Sequence, residues 1–209
     1  MFTMKNLCGI AFFNGGVCMD LRKIIVTSLF AALIVAGSYI AIPVGVVPIT
    51  LQSMFVLLAG LLGGKAVGLS AVATYIVLGA IGLPVFSGGT GGFAHFATPT
   101  GGFLISWLVA APVVGSIVDR KIKDLNRPSL SKGEVATIIF AAVVGTLIFF
   151  LIGIPYLKLI LQVSWKQAIA IGLIPFIVGD LIKLVSAVIL TNIFALKVRS
   201  FLNKETIDE

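Results

Sequence analysis

The sequence predicts an all-α integral membrane protein of six transmembrane helices with both termini in the cytoplasm. Composition is the first reason. Of 209 residues, 59% are hydrophobic and 11% charged, against roughly 25% charged in a soluble domain. Patterning is the second. Mean hydropathy is +1.17, and the apolar residues gather into runs of about 20, enough to cross a hydrocarbon core about 30 Å thick. Charge placement is the third. The net charge is +7, yet most of the 15 Lys and Arg stand at the ends of apolar runs, which is the positive-inside pattern and not a nucleic-acid patch. No room is left for a separate soluble domain.

Residues 1–20 are expected to form a poorly structured N-terminal extension. Met19 opens "MDLRKIIVTSLF", a normal start for a membrane protein, and Cys8 and Cys18 imply no disulfide framework. The membrane domain is expected over 21–199. Span one runs from Leu21 to Ile42, broken by Pro43, Gly45 and Pro48. Span two, Leu51 to Gly63, is short, with Thr50 as its expected N-cap. Gly63, Gly64 and Lys65 predict a tight turn into span three, Ala66 to Ile81. A glycine-rich loop without Lys or Arg follows. Span four runs from Thr100 to Val118 and ends in the basic stretch "DRKIKDLNRPSLSK". Span five covers Glu134 to Ile152, and "GIPYLKLILQVSWKQ" is expected to be a loop with a short amphipathic piece. Span six covers Ala168 to Ala195, with a cytoplasmic tail over 200–209.

With the termini and the even-numbered connections in the cytoplasm, that side collects Lys5, Arg22, Lys23, Lys65, Arg120, Lys121, Lys123, Arg127, Lys132, Lys197, Arg199 and Lys204. The other side has only Lys158 and Lys166. This imbalance sets the orientation and puts the glycine loop outside a multi-pass protein of the cell membrane.

"LIPFIVGDLIKLVSAVILTNIFALK" carries Asp180 and Lys183 near its middle, the only ionisable groups expected deep in a span. Each would cost roughly 2.5–3.5 kcal/mol at a helix centre. Three residues apart, they share a helix face, and Phe176 lies near it. Pro175 permits a kink, while Gly172 and Gly179 permit a close approach. One reading is a self-satisfied ion pair that locks helix packing. The other is a polar site facing a cavity. A carboxylate accepts hydrogen bonds and an ammonium donates them, so together they suit a cyclic amide or urea; a proton relay uses the same two groups. Enzyme readings fare worse. "GD" at 179–180 has no second intramembrane acid to share a proton, and His95, the only histidine, has no cysteine near it to make a zinc site. No cofactor is expected.

"FSGGTGGFAHFATPTGG" interleaves Phe86, Phe93 and Phe96 with glycines, where aromatic walls and backbone N–H groups suit an apolar ligand with an anionic end. The alternative is a flexible linker. Thr100, Gly101 and Gly102 open a helix whose free N–H groups can bind a carboxylate. His95 is read as a loop residue. Neither this loop nor "GLLGGKA" at 60–66 has P-loop spacing, so an ATP-driven process would need a partner. Ala32 and Ala36 form a small-xxx-small face for contact within the chain or with that partner.

Taken together, "VPITLQSMFVLLAGLLGG" (47–64), "LGAIGLPVFSGGTGG" (78–92), "PTGGF" (99–103), "GIPYL" (153–157) and "IPFIVGDLIK" (174–183) resemble the BioY family, the biotin-binding S components of energy-coupling-factor (ECF) transporters. The resemblance extends from about 22 to 199, with the motifs in order. It implies a six-helix protein that captures biotin from outside and works with an ECF transmembrane coupling subunit and two ATPase subunits in the lipid bilayer. It implies that Ala32 and Ala36 meet the coupling subunit and that Asp180 and Lys183 hold the ureido ring. It also implies that Gln52 and the stretch Phe86, Ser87, Gly88, Gly89, Thr90, Gly91 and Gly92 cover or line the pocket. Phe86, Phe93 and Phe176 would wall the rest of the ligand, and the glycine loop would close over it. Two departures stand out: Thr98 and Phe103 where many members read "GPTGGY", and Thr90 where some carry a basic residue. Other readings are an S component for another vitamin and a stand-alone proton-coupled transporter.

Overall fold

Six α-helices build the described part of the chain, a computed structural model covering residues 21–122, 125 and 128–203. The expected extension over 1–20, with Cys8 and Cys18, lies outside the described residues. Helix α1 (Leu21–Tyr39) leads into a two-stranded antiparallel ribbon, β1 (Ala41–Ile42) and β2 (Ile49–Thr50), with Ala41 opposite Thr50. Pro43, Gly45 and Pro48 turn the chain between the strands. Then come α2 (Gln52–Ala80), a 3-10 helix (Phe93–Ala97), α3 (Gly101–Lys121), α4 (Lys132–Leu161), α5 (Trp165–Gly172) and α6 (Phe176–Asn203). Five of these helices are long and apolar enough to span a membrane. The outward faces of α4 and α6 expose Phe140, Leu147, Leu151, Leu181, Val185 and Ile189, and so large an apolar surface calls for lipid around it.

Spans two and three form a hairpin inside α2. Gly64 has φ 75° and ψ −171°, outside the helical region. The two arms, 52–63 and 65–80, fold back so closely that a Cβ on Gly68 would stand 3.0 Å from the Cα of Gly60. In a straight helix, eight residues would separate them by ~12 Å. A fold-back leaves the last carbonyls of one arm and the first N–H groups of the next without helical partners. Two distant side chains supply those partners. The Lys65 N–H donates to Asp119 Oδ2 of α3 at 2.9 Å, and Arg199 of α6 donates from Nη2 to the Leu61 carbonyl at 2.9 Å. Arg199 Nη1 closes the circuit on Asp119 Oδ1 at 2.8 Å. A carboxylate thus stands at the positive end of one arm and a guanidinium at the negative end of the other. Gly115 of α3 packs on this turn, where a Cβ would meet the Gly64 carbonyl carbon at 2.4 Å.

Several sequence-based expectations need correction. Span six does not stop at Ala195; α6 runs on to Asn203 and buries a further charge, Arg199, near its far end. Span six is not one helix from Ala168. Pro175 has no N–H to donate, so α5 ends at Gly172 and α6 begins at Phe176. Asp180 therefore sits in the second turn of α6, near its end. The segment 153–161 is helix and not loop; α4 continues through Pro155 to Leu161 and stops where Gln162 takes a left-handed conformation, φ 54°. Both α4 and α5 start with capping boxes, Ser131 with Glu134 and Ser164 with Gln167. Thr50 is not the cap of α2. Leu51 holds that place without a side-chain hydrogen bond, and Thr50 Oγ1 donates to Gln52 Oε1 at 3.0 Å. Gly172 and Gly179 are not forced close approaches, since a Cβ on either would make ordinary contacts at 3.5 Å.

The core runs between α1, α2, α3 and α4, where Ile34, Leu61, Tyr75, Val114, Val118 and Ile138 are fully buried. A smaller cluster of Val47, Ile154, Leu157, Ala168 and Phe176 seats α5 and the start of α6 against α4 and the ribbon.

Candidate functional site

At the end of the bundle opposite the α2 hairpin, the helix ends leave a cleft that is open on one side. Each arm of α2 contributes its outer end, with Gln52 and Ser53 from the first and Tyr75 from the second. The start of α3 contributes Phe103, Leu104 and Trp107, α4 contributes Phe149 and Phe150, and the start of α6 contributes Phe176, Asp180 and Lys183. Val47, Pro48 and Thr50 close one side from the ribbon, and Ser87, His95 and Thr100 close the mouth.

The break at Pro175 starts α6 beside the cleft, and the three-residue spacing turns both charges to it. Lys183 is buried and Asp180 half-buried. Lys183 Nζ donates to Asp180 Oδ1 at 2.8 Å and to Ser53 Oγ at 3.2 Å. An ammonium has three donors and a carboxylate two acceptor oxygens. Among the described residues, one N–H of Lys183 and the second oxygen of Asp180 remain unspent. The pair therefore keeps hydrogen-bonding capacity for a third group.

A second polar group lines the cleft. Gln52 Nε2 donates to the Tyr75 hydroxyl, whose ring packs edge-on against Phe86 at 5.6 Å and tilted against Trp107 at 6.2 Å. Trp107 continues edge-on to Phe149 at 6.4 Å. The cleft is thus lined by a connected set of aromatic rings beside polar groups.

The mouth is formed by the glycine loop. Phe86 N–H donates to the Thr90 carbonyl at 2.9 Å and Gly89 N–H to the Phe86 carbonyl at 3.0 Å. Gly88 (φ 77°) and Gly89 (φ 69°) make that turn in the left-handed region. Phe86 is fully buried and fits over Gly79, where a Cβ would meet its ring at 2.1 Å. Burying such a ring contributes about 1.5–3 kcal/mol to seating the loop. His95 stacks on Phe86 at 4.7 Å and lies between two hydroxyls, Nδ1 3.2 Å from Thr90 Oγ1 and Nε2 3.1 Å from Thr100 Oγ1. Burial holds the His95 imidazole below its ordinary value of 6.5. It is neutral at pH 7 and gives one donor and one acceptor to the two threonines. Tyr39 and Tyr156 donate to the carbonyls of Pro84 and Phe96, tying α1 and α4 to the loop.

Of the residues singled out from the sequence, Gln52, Ser87, Phe176, Asp180 and Lys183 line the cleft. Phe86 stands behind Tyr75 and His95. Gly88, Gly89, Thr90 and Gly91 are exposed in the loop, and Phe93 is 79% exposed and away from the cleft. Ala32 and Ala36 are exposed on α1. Ser87 Oγ is buried at the mouth with no partner among the described residues. Sequence reasoning missed Ser53, Tyr75, Trp107, Phe149 and Phe150, and it left His95 without a role at the mouth. Tyr75 and Trp107 carry a legible signal, a hydrogen-bonding aromatic inside an apolar run; Ser53 and the phenylalanines carry none. Among the described residues, no cluster of His, Cys, Asp or Glu could hold a metal ion.

Residues 5–200 match the BioY family. The chain belongs to that family. It is 36% identical over 174 residues to a probable biotin transporter BioY of Pyrococcus horikoshii, covering 83% of this chain and 96% of the relative. It is 38% identical over 170 residues to the biotin transporter BioY of Thermotoga maritima, covering 81% and 94%, and 43% identical over 174 residues to that of Rhodobacter capsulatus, covering 78% and 88%. Among solved structures, a crystal structure of the S-component for biotin from an ECF-type ABC transporter superposes with a TM-score of 0.72 at 27% identity, covering 90% of this chain and 95% of the other. This BioY-family chain is a multi-pass membrane protein.

Proposed function

We propose that this chain is the membrane-embedded biotin-binding S component of an ECF-type ABC transporter, a carrier and not an enzyme. It captures biotin from outside, and partner ATPases drive delivery inward. The observation that carries the reading is the Asp180–Lys183 pair, which keeps one acceptor and one donor unspent in a cleft lined by aromatic rings. A cyclic urea presents N–H to the first and C=O to the second. Trp107, Phe149, Phe150 and Phe176 then flank the sulfur ring and the aliphatic tail, and Ser87 and the loop backbone stand where the tail leaves the cleft. The likeness to a probable biotin transporter and a biotin transporter of similar length supports the ligand.

Six crossings follow if each arm of α2 counts as one. Arg22 of α1 lies over the Phe201 ring of α6 at 5.6 Å, so the start of α1 and the end of α6 meet at one end of the bundle. Lys23, Lys65, Arg120, Lys121 and Lys197 share that end, while Lys158 and Lys166 lie toward the other; the positive-inside rule then puts the termini in the cytoplasm. The exposed Ala32 and Ala36 of α1 meet the coupling subunit, which works with two ATPase subunits.

The test is calorimetric titration of the purified protein with biotin, beside Asp180→Asn and Lys183→Met. One tight site in the parent, lost in both folded variants, supports the assignment. A parent that does not bind biotin sinks it, and competition with other vitamins then finds the ligand. Variants that bind like the parent remove the pair from the site and direct attention to pH-gradient-driven uptake without ATPases.

A further inference from the structure

A second concavity lies at the hairpin end of the bundle, far from the cleft. It runs along one face of α3 through Pro112, Val113, Ser116, Ile117 and Arg120, and Lys65 at the tip of the α2 hairpin closes it. The four residues from Pro112 to Ile117 are half-buried, and Lys65 and Arg120 are exposed. Ser116 spends its hydroxyl on the Pro112 carbonyl at 2.7 Å, so the middle of the groove presents apolar surface. Neither cation has a side-chain partner among the described residues. Asp119, the acid adjacent to both, is committed to Arg199 and to the Lys65 N–H, and it does not neutralise them. The second arm of α2 also begins at this point, adding the positive end of its dipole.

The groove is therefore apolar for about 8 Å along α3, the rise over the five residue steps from Pro112 to Ile117, and cationic where the helix ends. A phospholipid has the same layout: an acyl chain inside the bilayer and a phosphate at its surface. We propose that this groove binds a membrane phospholipid with an anionic headgroup, its phosphate between Lys65 and Arg120 and a chain along Pro112, Val113 and Ile117. Charge complementarity selects the lipid, and burial of the chain distinguishes it from free phosphate. This site does not depend on the ligand in the cleft.

Native mass spectrometry of the detergent-purified full chain tests it, with phosphatidylglycerol or phosphatidylcholine added. Each basic residue near an anionic headgroup is worth about fivefold in affinity, so Lys65→Ala/Arg120→Ala should weaken phosphatidylglycerol binding about thirtyfold. Lys65→Arg/Arg120→Lys should retain it, as should the control Lys132→Ala/Lys197→Ala. Helix content by circular dichroism and the melting midpoint of each variant report folding independently of any ligand in the cleft. If the double alanine variant does not fold, Val113→Trp fills the groove without touching the charges and should also expel the lipid. The proposal is overturned if both lipids bind equally, if the control loses as much as the groove variant, if the groove-filling variant keeps the lipid, or if millimolar inorganic phosphate displaces it.

Discussion

Replacing Asp119 by asparagine tests how the α2 hairpin is held. The carboxylate accepts from the Lys65 N–H at 2.9 Å and from Arg199 Nη1 at 2.8 Å. An asparagine has one acceptor oxygen and points its NH2 at the other donor. One hydrogen bond is lost outright, and the one that remains no longer meets a charged acceptor. Hydrogen bonds to charged groups contribute about 1.5–3 kcal/mol each, and neutral ones about 1. The Asp119 side chain is 40% exposed, so water recovers part of the loss, and a net cost of about 2–3 kcal/mol is expected. Arg199→Met should cost a similar amount, because it leaves the Leu61 carbonyl without a partner. At roughly 2–4 °C per kcal/mol for a chain of this size, each variant should melt about 5–10 °C below the parent in detergent. The double variant should cost little more than either single one, a coupling of about 1–3 kcal/mol. A shift under about 2 °C, or strictly additive costs, would refute the idea that this pair stands in for the hairpin's missing backbone bonds.

Other expectations are read more simply. Gly79→Ala drives a Cβ into the Phe86 ring, 2.1 Å away, so the loop should unseat; limited proteolysis near Ser87 should accelerate while helix content stays constant. Ser87→Ala removes a buried hydroxyl that has no partner among the described residues; thermal stability should hold or rise slightly, and biotin affinity should fall about fivefold if the ligand supplies that partner. His95 should make loop seating depend on pH. Its folded value is lowered, so below 6.5 the unfolded loop holds more protons than the folded one, and stability rises with pH. The contribution is complete above 6.5 and is lost as pH falls through the lowered value; proteolysis of the loop should increase at acid pH in the parent and much less in His95→Gln. Ser131→Ala removes the cap of α4 and should cost about 1 kcal/mol, seen as a lower melting midpoint with unchanged biotin binding.

Hydropathy and charge placement alone read the membrane helices, because a bilayer demands long apolar runs and satisfied backbones whatever the packing. The Gly63–Gly64–Lys65 turn was legible for a local reason, since only glycine enters the left-handed region freely. Asp180 and Lys183 stood out because charge in an apolar run is costly wherever the helix lies. Helix ends were read less well. Pro155 and Pro175 look alike in sequence, yet α4 continues through the first and the second separates α5 from α6; the neighbours that re-satisfy a freed carbonyl are not local. The loop aromatics were read by type, and type did not separate Phe86, buried over Gly79, from Phe93, exposed to solvent.

The sequence by itself determined the class, the family and the charged pair, because each rests on residue chemistry or local backbone preference. Only the tertiary structure decided what the pair faces, which aromatics wall it, and that Asp119 and Arg199, eighty positions apart, close a turn in a third helix. Those outcomes depend on which side chains share a space, and a linear chain carries no distance between residues that meet only after folding.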